Sequence, residues 1–88
     1  MPPDHRRLFA ALAQELRGAR ADLEGLADGL CADEAVVMRH VAALQTLDEV
    51  GQRLAAIAQC LDAADPVASA RAITLEKLRN RLDLGMAA

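Results

Sequence analysis

Asp48 and Gln52 stand four residues apart in the segment Leu47-Asp48-Glu49-Val50-Gly51-Gln52-Arg53-Leu54. On a helix, positions i and i+4 lie one above the other on the same face, so this spacing presents a carboxylate and a carboxamide together. Such a pair could position a water molecule. Gly51 stands between them, although glycine costs about 1 kcal/mol relative to alanine inside a helix. That cost invites a reason: either another backbone comes close at Gly51, or the glycine serves close packing within a bundle. The plain alternative for the pair is an ordinary polar strip, since Gln45, Asp48, Glu49, Gln52 and Gln59 share the side of the segment left outside its apolar stripes.

The rest of the chain offers little competing chemistry. His40 falls in line with an apolar stripe and reads as a packed or boundary imidazole. A degenerate histidine-phosphotransfer-like bundle is an alternative for it, but Val41-Ala42-Ala43-Leu44 lacks the Lys-Gly pair and small polar residues that usually follow the phosphorylated histidine. His5 lies in a terminus expected to fray. No His, Cys, Asp and Glu spacing resembles a metal site, and the hydroxyls Thr46, Ser69 and Thr74 stand near no histidine that would suggest a triad. Cys31 and Cys60 do not make a disulfide framework, and both read as small buried hydrophobes. At opposite ends of one continuous helix they would lie roughly 43 Å apart, far beyond bridging distance.

Three helical segments must position these residues, at about 4–30, 34–62 and 66–84, in one domain spanning residues 1–88. The first opens with Asp4 as N-cap and carries Phe9, Leu12, Leu16, Ala19, Leu23, Leu26 and Leu30 at alternating three- and four-residue spacing, with Gly29 as a stop. That seam needs a partner helix along its length. Asp33 caps the second segment, with Glu34 in its first turn where the helix dipole favours negative charge. One of its stripes holds Val36, His40, Ala43, Leu47, Val50, Leu54, Ile57 and Leu61; an adjacent one holds Val37, Val41, Leu44, Gly51, Ala55 and Ala58. The combined face is wider than one neighbour covers, which predicts a central helix.

The third segment begins with Asp65 as N-cap and Pro66 at the first helical position, and is expected to end near Gly85. Its anchors are Ile73, Leu75, Leu78 and Leu82. Arg71, Lys77, Arg79 and Arg81 against Glu76 and Asp83 make it locally basic, which reads as a solvated face or as a docking surface for an acidic partner. The first two segments, joined by a short connection, predict an antiparallel hairpin. The expected fold is therefore all-α: a long antiparallel hairpin plus a shorter third helix. Two hairpins would complete a homodimeric four-helix bundle, with a three-helix monomer as the competing structure.

Composition agrees. The chain has 88 residues and is 53% hydrophobic, yet 20 residues are alanine and Phe9 is the sole aromatic, so the core must use aliphatic side chains and close alanine contacts. The net charge of −3, with arginines dispersed among acids, excludes a general nucleic-acid surface. No apolar run approaches the roughly 20 residues of a membrane helix. Leu8–Ala13, flanked by Asp4 and Glu15, is too short for a secretory signal. Cytoplasmic residence is the expectation.

Asp48-Glu49-Val50-Gly51-Gln52, set in an all-helical hairpin, resembles the Asp-x-x-Gly-Gln element of the CheZ-type chemotaxis phosphatases and their smaller CheT relatives. The resemblance covers one helical turn in specific residues and about sixty residues of architecture. It implies a dimeric four-helix bundle that dephosphorylates a CheY-like response regulator. Asp48 would pair with the regulator's active-site lysine, and the Gln52 amide would enter its pocket and orient the attacking water. The resemblance implies no cofactor of the chain's own, because Mg²⁺ would belong to the regulator. The chain departs from CheZ in length and in lacking a long tether to a separate regulator-binding helix; Ala63-Ala64 offers little reach. The alternative function is a non-catalytic helical module that binds partners through its apolar seams or its basic third segment.

Overall fold

The computed structural model describes residues 2–82, and every regular element among them is α-helical. Helix α1 spans Pro3–Cys31, α2 Glu34–Arg39, α3 Val41–Leu61, α4 Pro66–Arg71 and α5 Glu76–Leu82. The hairpin is present: α1 packs principally along α3. Two expected caps also form. The Asp33 carboxylate accepts the backbone N–H groups of Ala35 and Val36, and that of Asp65 accepts the N–H of Ala68 ahead of Pro66. Asp4 is not the cap of α1; it lies inside the first turn, behind Pro2. His5 is likewise helical, and α1 runs past Gly29 to Cys31.

The second segment is not continuous. His40 takes φ −126° and ψ 30°, dividing α2 from α3, although His40 N–H still reaches Val36 O and Leu44 N–H reaches His40 O. No proline or glycine stands there. The only local signal is three β-branched valines, Val36, Val37 and Val41, which lower helix propensity without forbidding a helix. The third segment is likewise split. After α4 the chain turns through Ile73, Thr74 and Leu75 before α5, and this turn buries Ile73 and Leu78 to 8% and 4% exposure. The expected end near Gly85, with Asp83, lies outside the described residues.

Contact between α1 and α3 follows a different stripe from the one expected. Phe9, Ala13, Leu16, Leu23, Ala27 and Leu30 are half-buried or buried, whereas Leu12, Ala19 and Leu26 are exposed. Both stripes share Phe9, Leu16, Leu23 and Leu30; the choice lies between Ala13, Arg20, Ala27 and Leu12, Ala19, Leu26. Small side chains let helix axes approach closely, and Ala13 and Ala58 are completely buried. Gly51 lies beneath Arg20. Seven residues on in α3 and seven back in α1 stand Ala58 and Ala13, two turns away in an antiparallel register. The ion pair between Arg17 and Asp62, at 3.2 Å, ties the covered end of the same hairpin.

The molecule is flat and elongated, with extents of 50 × 31 × 13 Å. Its radius of gyration, 15.7 Å, exceeds the roughly 12 Å of a compact domain of this length. Among the described residues no large side chain is fully buried. Leu8, Leu12 and Leu26 form an open apolar stripe on α1, with Met38 and Val41 exposed near the hairpin tip. No helix is long and apolar enough to cross a membrane among these residues.

Candidate functional site

Helix α3 holds Asp48 and Gln52 one turn apart on its open side, and both side chains are exposed. The Gln52 Nε2 amide donates to Asp48 Oδ2 at 3.0 Å. This contact engages one donor of the carboxamide and one carboxylate oxygen. Gln52 Oε1 stays an acceptor and Asp48 Oδ1 stays an anion, so the pair can receive a hydrogen from water and a hydrogen from a cation at the same time.

Beside the pair lies a groove of about 300 Å³ between α1 and α3. Leu23 and Leu47 line it with the charged residues Arg20, Glu24, Asp28 and Asp48, and Gly51 completes the α3 side. One cation against three carboxylates makes the groove acidic. Arg20 Nε pairs with Glu24 Oε1 at 2.8 Å, across one turn of α1.

Gly51 is buried, but not by another backbone. A Cβ placed there would meet Arg20 Cγ at 3.8 Å and Arg20 Nε at 4.0 Å, which is ordinary van der Waals contact. The arginine stem lies across α3 at Gly51, with room for a Cβ beneath it. Arg20 and Glu24 were not legible as part of the site, because hydrophobicity favours the Leu12 and Leu26 stripe over the one containing Arg20. The available signal was that Phe9, Ala13, Leu16, Arg20, Leu23, Ala27 and Leu30 form an equally regular alternation in which the arginine is the only charge.

The other candidates fall elsewhere. His40 is exposed at the junction of α2 and α3, neither packed in a stripe nor in mid-helix, so the placement behind a histidine-phosphotransfer reading is not found. Cys31, which ends α1, is exposed and Cys60 is half-buried in α3; both thiols are free. They do not bracket a single helix, yet the antiparallel register still separates them by on the order of 30 Å. Ser69 Oγ lies 3.6 Å from Cys60 Sγ, where α4 covers α3. Among the described residues no group of three or more His, Cys, Asp and Glu side chains is placed to hold a metal ion. No protein-family model matches the chain, and neither a curated protein nor a solved structure is detectably similar to it.

Proposed function

We propose that this chain promotes hydrolysis of the phospho-aspartate of a CheY-like response regulator, as the resemblance around Asp48 and Gln52 implies. The observation that carries this reading is the exposed Gln52–Asp48 pair at 3.0 Å, held on a rigid helix with its outward acceptor and anion unused. In the reaction, a water oxygen bonds to phosphorus as the bond from phosphorus to the aspartyl oxygen breaks. The electron pair returns to the regulator's carboxylate, and the water's proton leaves with phosphate or solvent. Gln52 Oε1 accepts a hydrogen bond from that water and sets its line of attack; Asp48 engages the regulator's lysine. The chain thereby supplies positioning and charge. Three carboxylates around the groove favour such a lysine on approach.

The same reading takes the working form to be two copies in a four-helix bundle. The surface of 6421 Å² exceeds by about 1,400 Å² the roughly 5,000 Å² of a folded monomer of 9.4 kDa. Two copies that each covered this excess would bury about 2,800 Å², within the range of obligate dimers. The open stripe Leu8, Leu12, Ala19 and Leu26 is where the second copy would lie.

The deciding assay follows loss of acyl phosphate from phosphorylated CheY-like regulators incubated with the chain. Accelerated loss that falls in Gln52→Ala and Asp48→Asn supports the reading; equal rates for parent and variants end it. For the dimer, sedimentation should give the mass of two chains, reduced to one by Leu12→Asp with Leu26→Asp.

A further inference from the structure

The α1 stripe that faces α3 is apolar at every position except Arg20, and Arg20 lies over Gly51 in the groove that Asp48 lines. Asp48 and Gly51 are three residues apart on one helix face, which puts their Cβ positions about 5–6 Å apart. The Arg20 guanidinium is thus within reach of the Asp48 carboxylate. It pairs instead with Glu24, at 2.8 Å, while Asp48 takes the amide of Gln52.

We propose that Glu24 is a positioning residue that holds Arg20 away from Asp48, and so keeps that carboxylate open to the cation of an incoming partner. The proposal rests on the phosphatase reading for its kinetic consequence but not for its geometry. An arginine released from Glu24 would turn to the nearest other anion in the groove. Paired there, it would take the oxygen that the partner's lysine needs and loosen the Gln52 contact. Recognition would be weakened, while the chemistry of complexes that do form would be left largely alone. The Arg20 stem lies over Gly51 and lines the groove between the helices.

The test is a double-mutant cycle on the full chain, with phosphorylated CheY-like regulator as substrate at low ionic strength. Glu24→Gln is expected to raise KM about two- to fivefold, the range over which an exposed ion pair moves an equilibrium, with kcat little changed. The rise should shrink at high salt. With Arg20→Met in the background, the same change at Glu24 should no longer raise KM. If Glu24 merely adds negative charge, its effect will be equal in both backgrounds, which overturns the proposal.

The second arm needs no substrate. In Glu24→Gln the side-chain amide resonances of Gln52 should shift, and they should return toward the parent in the double variant. Unmoved Gln52 resonances overturn the gate whatever the kinetics. Failure of the phosphatase reading is separate, since it appears as no turnover by the parent chain, and the resonances then decide the proposal alone.

Discussion

The two halves of α3 are treated differently by the rest of the chain. From Arg53 to Leu61 the helix is covered on one side by α1 and on another by α4 and the turn through Ile73, and the buried apolar side chains Ala13, Ala58, Ile73 and Leu78 belong to that end. From Val41 to Gln52 it meets α1 along one stripe, and most of its residues are exposed. Packing is concentrated at one end and candidate chemistry at the other. The separation has a physical use: a carboxylate and an amide that must meet a globular partner need an open face, while the rigidity that aims them can be supplied by packing further along the same helix.

This division can be broken from either side. The largest expected effect is Leu78→Ala, which should cost about 2–5 kcal/mol in urea unfolding by opening the covered end, with dephosphorylation per folded molecule retained. Gln52→Ala should do the reverse: a loss on the order of 10²-fold in acyl-phosphate hydrolysis, with an unchanged unfolding midpoint. If one substitution lowers both quantities together, the two ends are coupled and the division is wrong. Asp33→Ala should remove about 1 kcal/mol, because two backbone N–H groups lose their acceptor at the start of α2. Smallest is Gly51→Ala, expected to raise stability by up to about 1 kcal/mol, since its Cβ would make ordinary contact with Arg20. A loss of stability there would mean that the helices close more tightly in solution.

Legibility followed the range of the interaction. The caps at Asp33 and Asp65 were readable because each is a side chain meeting backbone within three residues. The Asp48–Gln52 contact was readable for the same reason, being fixed by the pitch of one helix. The stripe by which α1 meets α3 differs from the expected one. Leu12 and Leu26 outweigh Ala13 and Ala27 in hydrophobicity, but closeness of approach across the hairpin, where Ala13 and Ala58 are completely buried, favours the other stripe turning inward. The break at His40 and the turn at Ile73–Leu75 were hidden because no proline or glycine marks either one. The turn is favoured by the burial of Ile73 and Leu78, a gain that arises only once the chain folds back.

By itself the sequence determined an all-helical chain, the starts of α2 and α4, the hairpin and the meeting of Asp48 with Gln52. Each depends on periodicity or on contacts within one turn, which the order of residues specifies directly. Only the tertiary structure decided that Arg20 lies over Gly51 beside the pair and that Leu8, Leu12 and Leu26 remain open. Those facts depend on which face of one helix turns toward another. A rotation of α1 by about 50°, half a residue step, exchanges the two stripes, because they share Phe9, Leu16, Leu23 and Leu30, and the two alternations are equally regular in the sequence.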